Sequence, residues 1–270
     1  GPHMAISAET SIRLRSGEAR EAIAGSPTQE ASIRGPLAAL SLSMLLSSLG
    51  TSIANVALPA IAEAFGASFQ ATQWVVIAYL LAITTLIVSV GRLSDLFGRR
   101  KLLLAGVSLF TLAAALCGTA PSLGVLIVAR AVQGMGAATM MALTMSMVAG
   151  IVPNSRMGSA MGLLGTMSAV GTALGPSVGG VLIAAFGWRA IFLVNVPLGV
   201  FAFVIAYRCL SADQATPKTR AKEFDIAGTV LLALSLGAYA LSMTIGRGSF
   251  GALNAALLSA AGFGAALLVY

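Results

Sequence analysis

Charge is scarce in this sequence. Lys, Arg, Asp and Glu together make up 9% of the 270 residues, whereas a soluble globular domain carries about a quarter. So few charges cannot cover a water-facing surface, which excludes an ordinary soluble domain. Histidine is scarcer still. The sole one, His3, sits in Gly-Pro-His-Met at residues 1–4, which reads as a cloning remnant and is set aside. No histidine metal site or proton relay is then available, and neither a metal nor a cofactor is expected. The two cysteines, Cys117 and Cys209, fall at opposite membrane faces in the span order below. No disulfide between them is expected, and each reads as a small apolar packing residue. No nucleophile–base pair, phosphate-binding loop or metal-spaced cluster is present, so the chain does not read as an enzyme.

Apolar length is abundant. Hydrophobic residues make up 57% of the chain, and there are 30 glycines, the small residues through which membrane helices approach closely. A helix needs about 20 apolar residues to cross the hydrocarbon core. Eight such runs can be drawn, near 37–61, 74–90, 102–118, 123–148, 160–186, 190–207, 226–245 and 252–270. The expected fold is an all-α membrane protein: a six-helix bundle over 35–208, a linker over 209–225 and a further helix pair over 226–270. Residues 5–34 are polar, lack the apolar core of a signal peptide and read as a tail.

The net charge of +7 invites a nucleic-acid reading, but the basic residues lie in the gaps between apolar runs. Thirteen of the sixteen fall in the tail and the even-numbered gaps. Only Arg189 and Arg247 fall in the odd ones, and Arg130 lies within a run. That asymmetry orients a membrane protein with both termini in the cytoplasm, and no nucleic-acid partner is expected.

Three segments carry candidate function. The second gap places Gly91, Leu93, Asp95, Gly98, Arg99 and Arg100 in a tight turn, where Gly91 would allow backbones to approach and Gly98 would allow the reversal. Asp95 can pair with Arg99 or Arg100, and a plain solvated basic loop is the competing reading. In the fourth run Arg130 lies about 10 Å inside, with Gln133 one turn on along the same face. A charge at that depth is functional by default, unless it snorkels to the surface. In the fifth run Gly171, Gly175 and Gly179 form one smooth stripe beside Pro176 and Gly180, which suits close helix packing.

These segments resemble the major facilitator superfamily. The second gap is similar to its loop Gly-x-Leu-x-Asp-x-x-Gly-Arg-Arg/Lys, which the resemblance implies latches the two transporter halves and governs alternating access. Arg130, Gln133 and Gly134 are similar to its fourth-helix Arg-x-x-Gln-Gly, associated there with proton coupling and substrate movement. Gly171-x-x-x-Gly175-Pro176-x-x-Gly179-Gly180 resembles the motif of its exporters. The stretch 51–59, with Asn55, the stretch 187–199 and Phe224-Asp225 resemble its fourteen-helix drug–proton antiporters. The likeness runs from about 37 to 270. It implies a multi-pass inner-membrane exporter of drugs or other amphipathic molecules, proton-coupled in its complete form.

Two departures accompany the likeness. A complete member would continue with six further helices, so a first half is expected, completed by a missing C-terminal half or by a second copy. A non-transporting membrane module is the alternative. The usual first-helix Asp is replaced by Gly50, and none of the nine acids falls deep in a run. Asp225, at a run boundary, is the nearest candidate for protonation. An isolated Arg130 would then suit an anionic or lipid-like substrate, or a carboxylate from the missing half. Trp74, Tyr79 and Met135 are candidate cavity-lining residues, with a bilayer anchor as the other reading of Trp74. Met135 belongs to a methionine-rich stretch from 135 to 167 that would suit either promiscuous apolar binding or plain filling.

Overall fold

The computed structural model describes residues 27–212, together with 234, 238, 254–257, 259, 260 and 262. Most of the tail, the linker from 213 onward, Asp225 and nearly all of the seventh and eighth runs lie outside the described residues.

Helix α1 spans Pro27–Phe65, α2 Phe69–Phe97, α3 Arg99–Gly118, α4 Leu123–Ile151 and α5 Met157–Phe186. A single turn, α6 (Ala190–Leu193), leads into α7 (Asn195–Cys209). Among the described residues no strand occurs, and six helical segments are long and apolar enough to cross a bilayer. Helical geometry is forced in such a solvent, because each segment must satisfy its own backbone groups internally.

Serines set two of the helix starts. The Ser68 hydroxyl accepts from the Ala71 amide at 3.2 Å, and the Ser122 hydroxyl from the Val125 amide at 3.4 Å, covering donors that the first turn leaves unpaired. The turn between α2 and α3 is a single residue, Gly98, with φ 89° and ψ 140°. Only glycine enters that region without strain. The expected loop is therefore shorter than its motif. From Gly91 to Phe97 the chain is still α2, and a Cβ at Gly91 would meet nothing within 4 Å. The physical reason is that an apolar run marks where a helix leaves hydrocarbon, not where it ends.

α1 is the central helix, contacting α2, α4, α5, α6 and α7. Its buried positions include Ser41, Ser43, Ser47, Ser48 and Ser52. α5 lies along α1 through its glycines. A Cβ at Gly171 would come within 2.6 Å of the Leu45 carbonyl oxygen, and one at Gly175 within 2.9 Å of the Ile53 nitrogen. The serines of α1 face these glycines: Ser48 and Ser168 share a hydrogen bond of 2.8 Å, and Ser52 donates to the Gly171 carbonyl at 3.2 Å. α4 is wedged between two partners in the same manner. Gly134 meets α2, where a Cβ would lie 2.5 Å from the Tyr79 carbonyl oxygen, and Gly136 meets α3, 2.6 Å from the Phe110 nitrogen.

Two apolar clusters result. One gathers Leu40, Leu46, Leu103, Phe110 and Met140 toward the end where α1 begins. The other gathers Ile53, Ile61, Leu126, Trp188 and Phe192 toward the end where it finishes.

The stripe makes separable demands on neighbouring glycines. Gly175→Val should lower the stability of the detergent-solubilised protein by about 1–3 kcal/mol through overpacking. Gly180→Ala, where a Cβ meets nothing within 4 Å, should be neutral or slightly stabilising. Thermal unfolding of the two variants checks this, and equal losses would remove the glycine stripe as the determinant of the α1–α5 contact.

Candidate functional site

At the level between the two apolar clusters, α4 turns Arg130 and Gln133 into the bundle. Both are fully buried. The guanidinium donates from Nε to the Val75 carbonyl at 3.0 Å, from Nη2 to the Gly50 carbonyl at 3.0 Å and from Nη1 to Gln133 Oε1 at 2.8 Å. One side chain thereby ties α4 to α2 and α1. A carbonyl oxygen carries two lone pairs, so Gly50 and Val75 can serve the arginine without surrendering their helical bonds. The ring of Tyr79 lies 4.0 Å from the guanidinium carbon and that of Phe192, on α6, 5.7 Å. Their π-faces favour a cation. The Tyr79 hydroxyl in turn donates to the Ser47 carbonyl at 2.8 Å.

Among the described residues the partners of Arg130 are all neutral, which changes the expectation of an unpaired charge awaiting an anion. A buried charge must be hydrogen-bonded or it neutralises, and here backbone carbonyls, one amide and two rings do the solvating. Gly50 is central to that arrangement. A Cβ at position 50 would come within 2.9 Å of the Tyr79 hydroxyl oxygen and 3.2 Å of the Phe110 ring. The place of a first-helix acid is thus filled by aromatic side chains.

Gln133 accepts from the arginine and, at 3.8 Å, from the Cys117 thiol, while its Nε2 has no partner. The neighbouring cation fixes the amide orientation, because the flipped form would point a donor at a donor. Asn195, at the start of α7, is also fully buried. It donates from Nδ2 to the Ile191 carbonyl at 2.9 Å and leaves Oδ1 without a partner.

The other candidate residues lie elsewhere. Asn55 is on the exposed side of α1, its Nδ2 donating to the Thr51 carbonyl at 3.3 Å, and it does not join the Arg130 cluster. Trp74 is half-buried. Tyr79 is fully buried beneath Arg130. Met135 and Met145 on α4 and Met161 on α5 are each about 40% exposed, whereas Met140 and Met147 fill the core.

In the basic turn, Arg99 donates to the Ser146 carbonyl at 3.4 Å. Arg100 donates to the Tyr207 carbonyl at 2.7 Å and lies 5.1 Å from that ring. Leu93 is half-buried, and the side chain of Asp95 lies outside the described residues. Both cysteines are free thiols. Among the described residues no group of His, Cys, Asp or Glu could hold a metal ion.

Sequence reasoning missed the serines of α1, whose signal was their recurrence at positions 41, 48 and 52 on one helical face. It also missed Asn195, which carries the same signal as Gln133, a carboxamide inside an apolar run.

Arg130 should not be replaceable by lysine. An ammonium is a single point of donors and cannot span two carbonyls and an amide on three sides. Arg130→Lys should therefore cost about 2–4 kcal/mol from hydrogen bonds involving a charged group. Denaturant titration in detergent checks it, and an unchanged midpoint would mean that the three contacts do not hold the bundle.

The match to the Major Facilitator Superfamily covers residues 40–270. The multidrug resistance protein Stp of Mycobacterium tuberculosis (strain CDC 1551 / Oshkosh) is 38% identical over 203 residues, covering 75% of this chain and 37% of that protein. The riboflavin transporter RibZ of Clostridioides difficile (strain 630) is 34% identical over 192 residues, covering 71% of this chain and 42% of that protein. The chain thus spans less than half the length of these relatives. Among solved structures, a bacterial homologue of the human lysosomal transporter Spinster, in an inward-facing and occupied conformation, superposes with a TM-score of 0.61. It is 18% identical and covers 89% of this chain and 59% of that one, a likeness of fold. With a family match over most of its length and, among the described residues, six apolar helices in the matching fold, the chain belongs to the Major Facilitator Superfamily and is a multi-pass membrane protein.

Proposed function

We propose that this chain supplies the first half of an exporter of amphipathic small molecules that works by alternating access. The observation that carries the reading is Asn55. Its carboxamide stands exposed on α1, well within the span. A polar group at such a depth seeks a polar partner or a water-filled cavity rather than lipid. Thr172 on α5 is also exposed near the middle of its span, and Thr84 is exposed on α2. Major facilitator cavities lie between the two halves near the midplane, and this surface would form one wall. The exposed Met135, Met145 and Met161 add adaptable apolar contact. Drug resistance and riboflavin transport in the names of the relatives agree with an amphipathic or aromatic substrate.

The Gly171–Gly180 segment supports export over import through its resemblance to the exporter motif. The basic turn at Gly98 would lie on the cytoplasmic side, together with both termini, given the concentration of Lys and Arg at that end. Proton coupling in the complete transporter would draw its carboxylate from outside the first six spans, because these contain no acid at depth.

The wall can be tested in the protein reconstituted into a bilayer, with Cys209 replaced by serine and Cys117 left buried. Asn55→Cys should react with a membrane-impermeant maleimide much faster than Leu112→Cys, which is 65% exposed on the peripheral helix α3. Equal protection of both would place Asn55 against lipid and end the proposal. In a transport-competent form, Asn55→Leu should reduce export several-fold at unchanged membrane expression.

A further inference from the structure

At the end of the bundle where α1 begins, a cavity of about 210 Å³ opens between α1 and the turn that joins α4 to α5. Arg34 reaches it from α1, Arg156 from the turn and Ser159 from the first turn of α5. Ile33, Leu37 and Val152 supply an apolar floor. Val152 is buried, while Arg34 and Ser159 stand exposed at the rim. The cavity is smaller than the roughly 300–1,000 Å³ of sites that enclose a drug-sized molecule, so it fits a headgroup rather than the transported substrate.

Its chemistry is that of a phosphate site. Two arginines line it from different elements, and the guanidinium of each offers a fork of donors that matches phosphate oxygens. Each has five N–H groups, enough to serve a phosphate alongside another acceptor. A hydroxyl and the N-terminal end of the 30-residue α5 add to the same field. The apolar half of the lining favours a lipid as the source of that phosphate. Ile33 and Leu37 are one helical turn apart at the mouth of the first span, where an acyl chain would leave the headgroup and run into the bilayer. A soluble phosphate has no use for that wall. The surroundings agree, since Arg99, Arg100, Lys101 and Arg208 crowd the same end of the bundle, as expected of a surface facing an anionic leaflet.

We infer that this cavity binds the phosphate headgroup of an anionic phospholipid, with one acyl chain laid along Ile33 and Leu37. The inference is independent of transport, since the bound lipid clamps the start of α1 to the α4–α5 turn whether or not a substrate moves.

The test is lipid binding to the purified full chain by native mass spectrometry, titrating phosphatidylglycerol against phosphatidylcholine, with inorganic phosphate as a competitor. Phosphatidylglycerol should bind preferentially. Its affinity should fall about tenfold or more in R34Q/R156Q, given roughly 1 kcal/mol for each basic residue near the surface, and should largely survive in R34K/R156K. Arg189→Gln, at the opposite end of the bundle, should leave it unchanged. Should the double glutamine variant not fold, R34Q and R156Q singly should each give a partial loss. Equal binding of the two lipids, or an affinity indifferent to both arginines, would overturn the inference. Displacement of the lipid by millimolar inorganic phosphate would overturn it too, by assigning the cavity to a soluble anion.

Discussion

A guanidinium ion buried inside a membrane protein has no water to solvate it, and the fold of this bundle is organised around supplying a substitute. The groups that do so come from four helices: the Gly50 carbonyl of α1, the Val75 carbonyl and Tyr79 ring of α2, Gln133 beside the arginine on α4, and Phe192 of α6. An isolated buried charge is far costlier than a hydrogen bond is favourable. Any sliding of α1 or α2 against α4 that breaks these contacts therefore meets a steep penalty. The polar layer also separates the two apolar clusters, so it fixes the vertical register of helices that lipid-like packing alone would leave free to slide.

Close backbone approach is what allows the arginine to reach both carbonyls. Gly134 brings α2 within reach of α4, and Gly136 does the same for α3 from the opposite face. The absence of a side chain at Gly50 leaves room for Tyr79 and Phe110 beside the α1 carbonyl. On the far side of α1, the α5 glycines meet a serine-bearing surface. Small residues and buried hydroxyls replace the large apolar interfaces of water-soluble bundles, because in lipid the gain comes from packing and hydrogen bonding rather than from water release.

The helices themselves were largely legible, because span length is a requirement of bilayer thickness and shows as apolar runs. Helix ends were less so. α2 continues through Gly91 to Phe97 because a helix can persist beyond hydrocarbon with a polar surface, and only Gly98 marks the reversal. Arg130 and Gln133 were legible as a pair, since a spacing of three places them on one face. Their partners were not, since a backbone carbonyl carries no residue signature. The absent first-helix acid suggested a charge in need of an anion, when two carbonyls and an aromatic face already served it. Tyr79 illustrates the same ambiguity, because an aromatic that stacks on a ligand and one that stacks on an internal cation look alike in sequence. The methionines divide by helix face, with Met140 and Met147 inside and Met135 outside, a distinction that composition does not carry.

If the polar groups of greatest energy are consumed internally, recognition by the proposed exporter half would fall to weaker ones. Arg130 spends a donor from each of its three nitrogens on the bundle, Gln133 is held by the arginine, and the Tyr79 hydroxyl is engaged with α1. Among the described residues, the exposed faces of the spans carry the Asn55 carboxamide, threonines that bond back to their own helix, and methionines among other apolar side chains. Such a surface offers area and adaptability but few directional contacts, so it would discriminate poorly between substrates of similar size and polarity. Broad selectivity in the proposed exporter would then follow from an interior that keeps its strong hydrogen bonds for holding the half together as one body. That is the mechanical property alternating access requires of each half.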